Sequence, residues 1–330
     1  QVLEDSAIKA IYDYPERGYI YDRKGELLVA NQPAYDVMVI PREVKPLDTL
    51  EFCTLLGISK DKFVNTMERA RVYSPRLPSV LVPQLSKEDY ARLQEKMRRF
   101  EGFYIQKRSL RYYATNSGAT ALGYISEVNE QDMAINPYYV AGELTGRTGI
   151  EKSYEDILRG RKGVKYIQKD RFNRDIGPYK DGILDTLPQQ GKEISVTLDK
   201  QLQEYGEKLM TGKHGGIVAL EPSTGEILAL ISGPTYDPAL LVGRERSKNY
   251  TKLYYDTIAK PTWDRALLAE PSPGSPFKIM NALVALQEGA ITPETTFTCY
   301  HGFYVGRTKR GCHCGGGQRD LNSGIYKSCN

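Results

Sequence analysis

Ser275 and Lys278, in the stretch "EPSPGSPFK" at 270–278, are of types and at a spacing that could do chemistry. Side chains three apart on a helix share a face, with Cβ atoms about 5–6 Å apart. An unprotonated amine at that distance can take the proton of a serine hydroxyl and leave a nucleophile. Burial favours the neutral amine, because desolvation disfavours the ammonium form. A helix N-terminus would add a positive field where an oxyanion forms. Pro276 narrows the arrangement. It has no N–H, so an oxyanion donor at this turn has to be the N–H of Ser275 itself.

Ser-x-x-Lys alone is common on solvated helix faces, and its surroundings single this one out. Pro271, Pro273 and Gly274 lead into the serine and set a turn. The following "FKIMNALVALQEG" is apolar nearly all round, which predicts a helix buried at the centre of a domain and ending at Gly289. Farther along, "YKSCN" carries Ser328 and Asn330. By itself Ser-x-Asn is an ordinary polar turn; beside Ser275 it can offer a hydroxyl and an amide to one cleft.

A second cluster of donors stands in "CYHGFYVGRTKRGCHCGGG", with Cys299, Cys312, His313 and Cys314 as candidate metal ligands and His301 nearby. Thiolate and imidazole suit Zn²⁺ in four-coordinate sites. A Cys299–Cys312 disulfide is the alternative in an oxidising compartment. Cys329 is expected to pack as a small apolar side chain. Five cysteines in 330 residues, four of them in the last 32, do not make a disulfide scaffold.

These residues need elements to hold them. "GYIYDRKGELLVA" alternates around Lys24-Gly25 and predicts a hairpin, with "AYDVMVIP" a further strand. Helical patterning covers 47–71 and 86–100, the latter with Ser86 as N-cap and Leu85, Tyr90, Leu93 and Met97 near one face. Residues 101–145 read as strands and loops. "GRTGIEKSYEDILRG" ends in a helix, and "DTLPQQGKEISVTLDKQLQ" reads as a linker punctuated by Pro188 and Gly191. Asp199 caps a helix with Leu198, Leu202, Tyr205 and Leu209 at helical spacing. "GGIVALEPSTGEILALIS" is a hairpin about Pro222–Gly225. Helix, hairpin and buried helix in that order predict an α+β domain with helices on an antiparallel sheet.

The composition sets bounds. The chain is 40% hydrophobic and 26% charged, with 45 basic and 41 acidic residues for a net charge of +4, a balance that argues against nucleic acid as a partner. Its length suits about two domains. No run of 18 apolar residues marks a membrane span. The first residue is Gln1, so a preceding segment is expected to be missing.

In sequence order, the boxes "RGYIYDRKGELLVAN", "RYYATNSGATALGYI", "GRTGIEKSYEDILRGRKG", "GGIVALEPSTGEILALISGPTYDP" and "DRALLAEPSPGSPFK" resemble those of the class B penicillin-binding proteins, in particular the elongation type. Departures are Ala114 and Asp264, where the family has proline and asparagine, and Pro276, where it has threonine. The resemblance implies a non-catalytic pedestal of dimerisation type over 1–193 and the first part of a transpeptidase domain over 194–330. It implies a peptidoglycan D,D-transpeptidase acting in elongation and cell shape. Ser275 would be the acylated nucleophile, Lys278 its base, Ser328 a proton relay and Asn330 the holder of the substrate amide. Substrates would be stem peptides ending in D-Ala-D-Ala, and β-lactams would be inhibitors. No cofactor is required, with a structural zinc as an option. Partners would be a membrane glycan polymerase and scaffold proteins. The parent would be anchored in the inner membrane by one helix, its bulk periplasmic. Lys-Thr-Gly and Lys-Ser-Gly are absent, so the sequence is expected to be incomplete at its C-terminus. The rival readings are a serine β-lactamase or β-lactam sensor, and a non-catalytic scaffold that activates a polymerase.

Overall fold

The computed structural model describes residues 8–76, 78–85, 87–140, 142–169, 175–243 and 245–330. It is a mixed α/β chain in two compact units, 1–269 and 270–330.

One long strand organises the first unit. Leu27–Val39 is thirteen residues long, a span of about 40 Å at strand rise. It pairs antiparallel with Phe103–Tyr113 from Val29↔Tyr113 to Val39↔Phe103. On its other edge, Ile20–Tyr21 pairs with its beginning and Ser79–Leu85 with its end. The expected hairpin at Lys24-Gly25 forms, closed by the Asp22 carboxylate, which accepts from the N–H groups of Lys24 and Glu26. "AYDVMVIP" is not a separate strand; it continues the hairpin's second arm.

Because one strand serves two neighbourhoods, two cores form along it. At its end, Val37 and Val39 pack with Phe52, Phe63, Met67, Leu93, Met97 and Phe103. Phe52 meets Phe100 and Phe103 with ring centroids 4.6 and 4.5 Å apart. The patterned stretch 47–71 is two helices, Thr49–Leu56 and Lys60–Tyr73. The first ends where Gly57 adopts a left-handed conformation, and Ser59 caps the second. The helix Lys87–Met97 follows; the expected cap Ser86 lies outside the described residues. Leu85 is the last residue of a strand rather than helical, while Tyr90 stacks on Tyr35 at 3.8 Å.

At the strand's beginning, Ile20, Leu28, Val29, Tyr113, Leu122 and Leu158 make the second core. Three of the sequence boxes meet beside it in an ion cluster. Glu151, fully buried, accepts from Arg17 Nε and Arg111 Nε at 2.7 Å each. Arg111 also donates to Gly18 O and Asn31 Oδ1, and Arg17 to Glu155 at 2.6 Å. The helical end of the third box is two short helices, Gly149–Ser153 and Glu155–Leu158. A separate sheet joins Ile8–Asp13, Gly163–Lys169 and Asp175–Pro178.

The predicted linker is tied in: Ile194–Ser195 pairs parallel with Ile20–Tyr21. Asp199 then caps the helix Lys200–Leu209, as expected, with Leu202 N donating to its carboxylate at 3.1 Å. The expected apolar face of that helix is not the buried one. Tyr205 and Leu209 are exposed, and Gln203 and Gly206 face the hairpin strand Ile227–Gly233. Gln203 bonds both the N–H and the C=O of Leu230. A Cβ on Gly206 would sit 2.0 Å from the end of Ile231. Close approach to a strand, rather than hydrophobicity, selects the face. The hairpin Gly215–Leu220/Ile227–Gly233 forms as predicted.

The second unit holds the helix Phe277–Gln287, small antiparallel pairs at 297–319 and the helix Leu321–Tyr326. The expectation that 277–287 is a buried helix is not met. Phe277, Ile279, Met280, Leu283 and Val284 are 51 to 57% exposed. A helix that is apolar all round needs cover on every side. Within the unit the Leu321–Tyr326 helix packs against it and leaves the rest open.

Candidate active site

Each predicted catalytic side chain belongs to the second unit, and its backbone is set locally. Ser275 lies two residues before the first residue of Phe277–Gln287. Lys278 N bonds Ser275 O at 3.0 Å, and Ile279 N bonds Pro276 O at 3.2 Å. Pro276, with φ −55° and ψ −29°, already has helical geometry, which its ring favours. Lys278 is therefore in the first turn, half-buried, while Ser275 is exposed.

Ser328 comes from the other end of the unit. Asp320 and Ser323 form a reciprocal cap at the start of Leu321–Tyr326. Past its end, Cys329 N bonds Gly324 O at 2.8 Å and Ser328 N bonds Ile325 O at 2.9 Å. These two bonds close the helix as a Schellman motif, with Ser328 in the left-handed position at φ +51°. Glycine is usual there, since a Cβ is strained in that conformation. The chain accepts the strain and gains a hydroxyl.

That hydroxyl lies between the other two groups. Ser328 Oγ is 2.5 Å from Ser275 Oγ and 3.0 Å from Lys278 Nζ. Lys278 Nζ also donates to Ser328 O at 2.7 Å. Among the described residues, no hydrogen bond joins Lys278 Nζ to Ser275 Oγ directly. The direct reach expected from the i, i+3 spacing is thus replaced by a three-atom path, Ser275 Oγ, Ser328 Oγ, Lys278 Nζ. Such a path can carry a proton from a hydroxyl to an amine. Asn330 stands two residues on, its Nδ2 donating to Gly311 O at 2.9 Å. Lys278 and Asn330 share the wall of a cavity of about 340 Å³ with Phe297, Arg319 and Leu321.

The sulfurs converge beside this path. Cys299, Cys312, Cys314 and Cys329 place their Sγ atoms all within 4.8 Å of one another. Cys299 ends the strand Phe297–Cys299, and Cys312 follows the hairpin Gly302–Val305/Thr308–Gly311. Cys314 leads into Gly315–Gly317, three residues with φ of 81°, 73° and 85° that bring the chain back to pair with Phe297–Cys299. At Gly316 a Cβ would lie 2.8 Å from the His301 ring. Of the predicted ligands, His313 is not in the cluster, and Cys329, expected to pack as an apolar side chain, is. The reason is geometric: the closure that aims Ser328 at Ser275 turns the next side chain towards Cys312 and Cys314, at 3.7 and 3.3 Å. Cys299 and Cys312, the pair expected as an alternative disulfide, are both free thiols. Cys312 Sγ accepts the N–H of Asn330 at 3.1 Å, which pulls its thiol below the usual range. The Cys329 contact pulls the Cys314 thiol down to about 6, and burial pushes Cys329 up.

The chain is similar to known proteins in both of its parts. The sequence profile of the Penicillin-binding Protein dimerisation domain matches residues 12–196, and that of the Penicillin binding protein transpeptidase domain matches 215–330. "Peptidoglycan D,D-transpeptidase MrdA" of Escherichia coli K12 is 34% identical over 301 residues, 88% of this chain and 47% of its own length. The protein of that name from Acinetobacter baumannii is 33% identical over 295 residues, 86% of this chain and 42% of its own. The solved "Complex between Penicillin-Binding Protein (PBP2) and MreC from Helicobacter pylori" aligns with a TM-score of 0.80 at 26% identity, over 98% of this chain and 61% of that one. The chain spans about half the length of the curated relatives it matches. It belongs to the penicillin-binding proteins, with a dimerisation-type pedestal followed by transpeptidase-domain residues.

Proposed function

We propose that the whole protein is a peptidoglycan D,D-transpeptidase of elongation and cell shape, and that this chain carries its acylating machinery. The hydrogen-bonded path from Ser275 through Ser328 to Lys278 carries the proposal. Ser275 attacks the carbonyl of the penultimate D-Ala of a stem peptide. Its proton passes through the Ser328 hydroxyl to Lys278, which acts as the base. Ser275 N–H and the field of the 277–287 helix stabilise the oxyanion. The terminal D-Ala leaves with a proton, and an amine from a second stem peptide resolves the acyl-enzyme into a cross-link. Asn330 holds the substrate amide. A β-lactam presents a strained amide to the same hydroxyl and acylates it. The names of the relatives support this reading.

We place the change from pedestal to transpeptidase residues at 193/194; the dimerisation-domain match ends at 196 and the transpeptidase-domain match begins at 215. We place the full-length protein in the inner membrane, single-pass, with its catalytic part periplasmic; among the described residues no helix is long and apolar enough to cross a membrane. The complex reported for the Helicobacter pylori relative supports a scaffold partner, and a membrane glycan polymerase is the second partner we propose.

A structural zinc fits the four thiols. Thiolates at 2.3 Å from a tetrahedral zinc are about 3.8 Å apart, and the cluster already has sulfurs at 3.3 and 3.7 Å, with none beyond 4.8 Å. Cys299, Cys312, Cys314 and Cys329 would hold the ion, which would brace the chain around Ser328 and take no part in acyl transfer.

The test is incubation of the full-length protein with a D-Ala-D-Ala stem peptide and an acceptor amine. The proposal expects release of D-Ala with formation of cross-linked product. Fast turnover of β-lactam instead would mean a β-lactamase, and no acylation by either substrate would mean a non-catalytic scaffold.

A further inference from the structure

We propose that Cys314 and Cys329 form an oxidative modification site whose disulfide disengages Ser328 from Ser275. The inference rests on the acylation path proposed above.

The two sulfurs are 3.3 Å apart, closer than the 3.7 Å between Cys312 and Cys329, and both thiols are free. A disulfide needs about 2.05 Å, so the pair must close by about 1.2 Å. Cys314 is buried and followed by three glycines in left-handed conformation. Cys329 is half-buried, next in sequence to Ser328, and is the more open of the two to a reagent.

Movement of Cys329 has a direct consequence. Ser328 holds an unfavourable backbone conformation, kept by the bonds of Ser328 N and Cys329 N to the preceding helix and by Asn330 N on Cys312 Sγ. Its Oγ contacts of 2.5 and 3.0 Å are short-range, and a hydrogen bond stretched much past 3.5 Å is lost. A shift of about 1 Å passed on from the adjoining residue is enough to take the 3.0 Å contact with Lys278 Nζ past that limit. Once Ser328 leaves the left-handed well, the path from Ser275 to Lys278 is open in the middle.

The chemistry balances with a small-molecule disulfide as oxidant. The more accessible Cys329 thiol attacks oxidised glutathione and gives its proton to the leaving sulfur, forming a mixed disulfide and releasing one glutathione thiol. The Cys314 thiolate then attacks the Cys329 sulfur and releases the second. Two electrons pass from the cysteine pair to the glutathione pair, and the two cysteine protons end on the released thiols. A zinc ion on the same sulfurs would occupy both nucleophiles and oppose the reaction.

The experiment uses the full-length protein, treated with oxidised glutathione with and without prior loading with Zn²⁺. Disulfides are mapped by mass spectrometry, and the rate of fluorescent-penicillin labelling at Ser275 is measured before oxidation, after it, and after dithiothreitol. The expected result is a Cys314–Cys329 bond, labelling slowed at least about tenfold, recovery on reduction, and slower oxidation of the zinc-loaded sample. Cys329→Ala should make labelling insensitive to the oxidant, whatever its basal rate. No disulfide in the cluster, or a mapped Cys314–Cys329 bond with labelling unchanged, overturns the proposal. Reduced wild-type protein that takes no penicillin refutes the transpeptidase reading itself, a different outcome.

Discussion

The hydroxyls of Ser275 and Ser328 meet at 2.5 Å although 53 residues separate them in the chain. Lys278, one turn from Ser275, reaches it through Ser328. In the proposed acylation, Ser328 is thus as much a part of the base as the lysine. Ser328→Ala in the full-length protein is predicted to slow penicillin acylation about 100-fold, within the range of a lost proton-transfer group. Stopped-flow labelling reads the rate, and an unchanged rate means the proton takes another route.

Ser328 also makes a prediction about stability. Its left-handed backbone should favour glycine over alanine. Ser328→Gly is expected to be more stable than Ser328→Ala by about 1 kcal/mol, while both label slowly. Thermal melts of the two variants give the difference, and equal melting temperatures would remove the strain from the account.

Parts of this site could be read from the sequence and parts could not. Ser275 and Lys278 declared themselves through local spacing and a turn-setting approach, which are properties of neighbouring residues. That Ser328 would stand between them depends on a helix closure 50 residues later. The only sequence trace of that closure is a serine placed where a glycine would be expected. Cys329 was misread for the same reason: its role follows from the direction of the chain after that closure, not from its type. The sequence also misjudged the buried face of two helices of the transpeptidase part. At Lys200–Leu209 the buried face is chosen by Gly206 and Gln203 against a strand, invisible to a hydrophobic count. At 277–287 the apolar pattern was right, but burial depends on neighbours that the pattern does not supply. In the pedestal, alternation gave the strands, while the meeting of three boxes at Glu151 needed the tertiary structure.

That meeting point should be costly to disturb. Glu151 is fully buried between two arginines, and Arg111 is 1% exposed. Removing the carboxylate in Glu151→Ala leaves buried positive charge without its partner and is predicted to cost about 3–5 kcal/mol. Denaturant unfolding reads this value, and a loss under 1 kcal/mol would show the cluster relaxes to water.

Asp199 links acid sensitivity to the Lys200–Leu209 helix. The hydrogen bond from Lys24, and then that from Leu202 N–H, hold its carboxyl below the usual aspartate value. A folded value lower than the unfolded one means stability that is full above about pH 4 and is lost as pH falls through the folded value. Asp199→Asn keeps a cap but not the ion pair, so the variant's stability should fall less between pH 4 and about pH 2. Parallel wild-type and variant curves over that range would contradict the assignment.

The thiol cluster predicts a metal content that separates its members. Full-length protein purified with zinc should hold about one ion per chain. His313→Ala should retain it, since His313 lies outside the four-sulfur group, and Cys312→Ser with Cys314→Ser should lose it. Plasma emission spectrometry on the three samples decides. Loss of zinc in the His313 variant would return the histidine to the ligand set.

The most direct test of the acylating serine is intact mass spectrometry of the full-length protein after exposure to benzylpenicillin. The account predicts one penicilloyl adduct per chain, mapped to the peptide that contains Ser275 and absent from Ser275→Ala. An adduct on a different residue, or a folded wild-type protein that carries none, would contradict it.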